Sequence, residues 1–195
     1  MMHQFIKSIS ISTVVFSLLL ISCNNHKENS PKREKEEVTF FPVSSYLGGQ
    51  ILEIKEKGLS PEKIITINGK SDSSFLKLSE LDSVMHDFTH PFIDSATVSK
   101  YYSSKKFFDQ TLNYITLTYE ANQNLPKEIP WLNWNVYINP ETEKVETIYL
   151  VKKTNQNQIT QLTWKSSKKY CKILTLNSND SNAEKPIEIT IKWEY

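Results

Sequence analysis

Beyond Phe107 the chain changes its period to two, and that change limits what it can become. The segments FFDQTLNYITLTYE, WNVYINP, KVETIYLVKK, QITQLTWK, KYCKILTLN and IEITIKWEY are each rich in Val, Ile, Thr and aromatic residues, the composition that suits a pleated, half-buried surface. Short polar stretches separate them. Asn139-Pro140-Glu141-Thr142, Asn155-Gln156-Asn157 and Ser166-Ser167-Lys168 carry residues that favour turns. Connections this short join only antiparallel neighbours, so the C-terminal half is expected to be a meander of about six strands. In the last segment Ile187, Ile189, Ile191 and Trp193 alternate with Glu188, Thr190, Lys192 and Glu194, which gives one buried face and one wet one.

The part before Phe107 reads differently. Ser44 or Ser45 can cap a helix that carries Leu47, Ile51, Leu52 and Ile54 and stops at Gly58, although Gly48 and Gly49 weaken its first turns. KIITIN, Lys63 to Asn68, is β-branched and ends at Gly69, so it predicts a short strand. A second helix is signalled by Ser79 with Asp82 three residues on, by Leu81, Val84, Met85 and Phe88 on one face, and by Pro91 as its stop. A third is expected from about Asp94 to Ser103. Helices first and strands afterwards predict an α+β fold, with N-terminal helices packed on the C-terminal meander. Cystatin-like and NTF2-like wraps fit this order, and so does a partly closed lipocalin-like barrel.

At the other end of the chain, Met1 to Lys7 carries one basic side chain, and Ile9 to Ile21 is a thirteen-residue run without charge. This is the pattern of a secretory leader. It falls short of the roughly 20 residues that span a bilayer as a helix. The run ends Leu20-Ile21-Ser22-Cys23, which resembles the lipobox of bacterial lipoproteins. In that class the thiol receives a diacylglyceryl group and the chain is cut just before it, so the resemblance implies a leader over 1–22 and a lipidated Cys23 as first residue. Two or three acyl chains make a lasting anchor where one holds only reversibly. Asn24, rather than Asp, follows the cysteine; in the class it resembles, this favours the outer membrane over the inner one.

Residues 24–37, NNHKENSPKREKEE, contain no apolar side chain and cannot bury anything. They predict a solvated tether, so that 23–37 separates the lipid from a single domain over 38–195. Loss of 1–22 removes Lys7 and no acid, leaving equal numbers of basic and acidic side chains. A neutral chain has no electrostatic footprint for nucleic acid.

Of two cysteines, a lipidated Cys23 leaves Cys171 alone, which excludes a disulfide scaffold within one chain. Cys171 sits in a strand-like run and reads as a small buried hydrophobe. His86 and His90 have the i, i+4 spacing of two metal ligands on a helix and resemble the zinc-protease pattern, but Asp87 stands where the general base belongs and Pro91 draws His90 out of helical geometry. No metal or other cofactor is expected. No G-x-S-x-G elbow and no glycine-rich phosphate loop occurs. The acid pairs Asp82 with Asp87 and Asp94 with Asp109 read as surface groups, not as a glycosidase couple.

Aromatic residues gather in the meander, and some of them must be core. Trp131, Trp134, Tyr137 and Trp164 are the expected ligand or partner surface. The expected function is a non-enzymatic binding or assembly module anchored to the envelope by lipid, with an envelope protein as partner. Two alternatives stand beside it: a carrier of an apolar ligand such as a lipid in a sheet-lined cavity, and an envelope hydrolase whose site is assembled from distant residues. Replacing Cys23 by Ala is expected to abolish incorporation of a labelled fatty acid, and unchanged incorporation would overturn the anchor.

Overall fold

The computed structural model describes residues 40–155, 158–177 and 186–194. The expected leader over 1–22, Cys23 and the expected tether over 23–37 lie outside them. In chain order the elements are α1 (Val43–Glu56), β1 (Glu62–Ile67), β2 (Lys70–Phe75), α2 (Leu78–Val84), α3 (His86–Thr89), α4 (Ser95–Tyr101), β3 (Tyr102–Asp109), β4 (Tyr114–Ala121), β5 (Trp131–Ile138), β6 (Val145–Asn155), β7 (Gln158–Lys165), β8 (Tyr170–Asn177) and β9 (Ile187–Lys192).

As the short turns require, β3 to β9 form an antiparallel meander in chain order. The sheet does not end at β9. The β1–β2 hairpin adds to its far side through β1, giving one nine-stranded sheet in the order β2-β1-β9-β8-β7-β6-β5-β4-β3. It is open, with β2 and β3 as its two edges.

The α+β class holds, but three features of the expectation need correction. The sheet has nine strands rather than about six. One extra strand is β2, KSDSSF, which is exposed at every position; an edge strand covered on neither face needs no apolar alternation, so none is written in it. Another arises because FFDQTLNYITLTYE folds back on itself. Asp109 Oδ1 accepts hydrogen bonds from the N–H groups of Thr111 and Leu112, and Asn113 takes φ 57°, so the turn is made by Asx chemistry without Gly or Pro. Nor are the helices a wrap preceding the strands: the β1–β2 hairpin separates α1 from α2, α3 and α4.

The register shows why one face must be covered. Leu117, Val136, Ile148, Trp164, Cys171 and Ile191 form a row across β4 to β9, and Tyr119, Trp134, Leu150, Leu162, Ile173 and Ile189 form the next row on the same face. All but Ile189 are buried. Thr118, Asn135, Tyr149, Thr163, Lys172 and Thr190 take the opposite face. The helices supply Leu47, Ile51, Ile54, Leu81, Met85, Phe88 and Val98 to the same core. Phe88 meets Trp164 edge-on with ring centroids 5.6 Å apart, and Met85 Sδ lies 3.6 Å from Cys171 Sγ.

Local signals explain some helix ends but not the start of α1, which follows Pro42 without a side-chain cap, so that Ser44 and Ser45 lie inside the helix and do not cap it. Gly58 takes φ 62° after α1, the left-handed conformation that closes a helix cheaply only in Gly. Asp94 caps α4 by accepting the Thr97 N–H at 2.7 Å, and hydrogen bonding to the Thr97 side chain and then to its backbone N–H holds the Asp94 carboxyl below the ordinary range. The expected second helix is broken at Met85, whose φ −92° and ψ 3° leave α-helical geometry, yet Leu81, Met85 and Phe88 all stay buried. Substitution of Trp134, fully buried, by Ala is expected to cost about 3–5 kcal/mol in urea unfolding, against about 1 kcal/mol for Tyr137→Ala on the wet face.

Candidate functional site

The aromatic residues expected to form a surface do not form one. Trp131, Trp134 and Trp164 are each 0% exposed. Trp134 stacks on Tyr119 at 4.7 Å, Trp131 approaches Trp134 edge-on, and Trp164 packs against Phe88 and Trp193. A register shift between Trp131 and Asn133 lets β5 point both tryptophans inward although they lie three residues apart. Tyr137 is on the opposite face, partly exposed beside Tyr114. Large aromatic area is worth most in the core of a one-faced sheet, and that is where the three tryptophans go.

Lys152 holds the helical layer to this core. On the inner face it pairs across the strands with Trp131 and Thr160, and it is only 6% exposed. Its Nζ donates to Asp87 Oδ1 at 3.0 Å, to the Asp87 carbonyl at 3.1 Å and to the His90 carbonyl at 2.6 Å. Three acceptors match the three N–H bonds of an ammonium group. The charge also lies 4.9 Å from the centre of the Trp131 ring, a favourable position over an aromatic face. Trp131 Nε1 donates to the Pro91 carbonyl at 2.9 Å, and the His90-Pro91 peptide is cis. The segment from Asp87 to Pro91 is thus fastened to the sheet at several points.

Fastening that segment opposite α1 creates a groove of about 430 Å³. On the α1 side Ser44, Gly48 and Leu52 line it, spaced four residues apart so that they share one face. A Cβ built on Gly48 would meet nothing within 4 Å, so the glycine leaves room rather than relieving strain. His86, His90 and Phe92 line the other side. Leu52 and Phe92 are 52% and 63% exposed. At the base, the Ser44 hydroxyl is buried with no hydrogen-bond partner, which is costly unless something else satisfies it. The exposed Lys55–Asp82 pair, 2.7 Å apart, also borders the groove; a pair so solvated contributes little stability.

The polar groups singled out in the sequence each have a local role. His90 leaves the helix in extended geometry and its ring stacks on that of His86, with centroids 4.3 Å apart and planes within 5°. Face-to-face rings hold their nitrogens in parallel planes rather than converging on one point, and His90 Nδ1 is already bonded to Thr89 Oγ1 at 2.8 Å. Among the described residues no group of three His, Cys, Asp or Glu side chains gathers as a metal site. Asp82 pairs with Lys55, Asp87 with Lys152, Asp94 caps α4 and Asp109 closes the β3–β4 turn, so each of the four acids has a structural partner of its own. Burial pushes the Cys171 thiol far above its ordinary pKa, which removes the thiolate a nucleophile needs.

Sequence reasoning missed the lysine, the serine and the two exposed apolar residues. Leu52 belongs by spacing to the apolar stripe of α1, and nothing local sets Lys152 apart within KVETIYLVKK. Compared with known proteins, the chain matches no family model, no curated protein and no solved structure. The groove is therefore read from its own geometry.

Two outcomes test this description. Lys152→Met strands the Asp87 and His90 carbonyls, and is expected to cost about 2–4 kcal/mol and to speed amide exchange over residues 86–92. Cys171 is expected to react with a maleimide only after denaturation; fast labelling of the native protein would contradict its burial.

Proposed function

We propose that this chain is a lipid-anchored component of a bacterial cell envelope that binds a partner protein in the groove between α1 and the His86–Phe92 segment, without catalysing a reaction. The observation that carries the reading is the groove itself: Leu52 and Phe92 are exposed at its rim, where burial against a partner would remove apolar surface from water. Its α1 wall is set by core residues of the same helix and its opposite wall by Lys152, so little ordering is left to do when a partner arrives. The leader, the lipobox Leu20-Ile21-Ser22-Cys23 and the polar tether support the envelope location, with the outer membrane favoured by Asn24.

A second reading has its own support. About 430 Å³ lies within the roughly 300–1,000 Å³ typical of small-molecule sites, and Leu52, Phe92, His86 and His90 give the groove a mixed apolar and polar lining. Such a ligand would lie in the open groove and not between helices and sheet, where Trp134, Trp164 and Tyr119 fill the space.

A photoreactive amino acid at Phe92 in the native envelope is expected to yield one discrete protein adduct, absent when the same group replaces exposed Lys70. Adding Leu52→Asp is expected to abolish the adduct while leaving the melting temperature nearly unchanged. No adduct, together with a small molecule retained in native mass spectrometry and lost in Ser44→Ala, would replace the protein partner by the ligand.

A further inference from the structure

Phe107, Phe108 and Leu112 are 46%, 50% and 53% exposed, and all three sit at the tip of the β3–β4 hairpin. Phe108 pairs with Ile115 on the inner face, Phe107 pairs with Thr116 on the outer face, and Leu112 is in the turn. Apolar surface is thus presented on both sides of the tip and at its end. A protein partner approaches one face of a hairpin; a fluid hydrocarbon layer takes both. One step back along β3, Lys105 and Lys106 are exposed on the two faces. Basic side chains behind an apolar tip can rest their stems on the acyl boundary and reach phosphate groups with their ammonium ends.

The place where the chain enters the domain points the same way. The Phe41 N–H donates to the Tyr119 hydroxyl at 3.0 Å, and Tyr119 lies on β4 four residues from Ile115, about 14 Å along the strand. Tyr119 and Phe108 are on the same face of the sheet. Sixteen residues lie between Cys23 and Phe40, and a chain of that length can reach no further than about 60 Å at full extension. A lipid at Cys23 therefore holds this edge of the sheet within reach of the bilayer.

We propose that the tip of the β3–β4 hairpin enters the interfacial layer of the membrane that carries the anchor, with Phe107, Phe108 and Leu112 among the acyl chains and Lys105 at a lipid phosphate. The proposal rests on the lipid-anchored reading above. It turns a tether into an oriented attachment that fixes which side of the domain faces away from the membrane.

The experiment uses the full mature protein with Leu112→Cys. With Cys23 acylated and Cys171 buried, position 112 takes an environment-sensitive fluorophore selectively. In phosphatidylethanolamine–phosphatidylglycerol vesicles the label is expected to shift to the blue and to be quenched by brominated acyl chains, whereas a label at Lys127→Cys, in the connection between β4 and β5, does neither. An aqueous spectrum at 112 in protein whose mass shows acyl groups on Cys23 overturns the hairpin proposal and leaves the anchor standing. If Cys23 carries no acyl group, the anchor reading falls instead, and the same vesicles added to the unlipidated protein decide the hairpin: a lipid-dependent shift supports it, and none overturns it. A shift that appears without vesicles and grows with protein concentration assigns the tip to a second copy of the chain, which also overturns it.

Discussion

Everything in this molecule follows from covering one face of an open sheet. Nine strands without closure present two broad surfaces, and the buried Leu, Ile, Val, Tyr and Trp of these strands share one of them. That face is unstable in water unless something lies on it. The helices do so, though they are short: α3 is a single turn and α1, the longest, has fourteen residues. Elements of this length have little stability of their own. Their place is set by what they bury, and this is why Met85 and Phe88 keep their contacts with Cys171 and Trp164 across a break in the helix.

The meander was legible because period-two patterning and short turns are local signals. The α+β class, the stop of α1 at Gly58 and the burial of Cys171 were legible for the same reason. What escaped was decided at a distance. Nothing within KSDSSF states that it is an edge strand, since its only partner is Ile67 and its neighbours in β1. Nor does KIITIN reveal that it pairs with residues 187–192. The tryptophans illustrate a subtler failure. Their number suggested a surface, but the shift in β5 turned Trp131 inward, and a shift of register leaves no trace in composition.

The groove was invisible for a similar reason. Leu52 falls on the apolar stripe of α1 by spacing, and only the position of the opposite wall decides that it stays exposed. That wall depends on Lys152, whose charge is buried because two backbone carbonyls and a carboxylate converge on it. A buried ammonium is weak evidence of net stability. Its value here is positional: a cation that needs three acceptors accepts one arrangement of the Asp87–Pro91 segment and rejects others, and the groove inherits that definition.

The pairing of β1 with β9 has a consequence for how the chain is made. Glu62–Ile67 leaves a ribosome long before its partner, Ile187–Lys192. Until the C-terminal segment arrives, the β1–β2 hairpin has one edge unpaired and no sheet to join, and a two-stranded ribbon alone is marginal in water. Contacts of such long sequence separation form late and slowly. The nine-stranded sheet is therefore completed only once residues 187–192 have emerged. Before then, a waiting β1 edge invites association with other chains, and that interval is when a holding factor has most to offer.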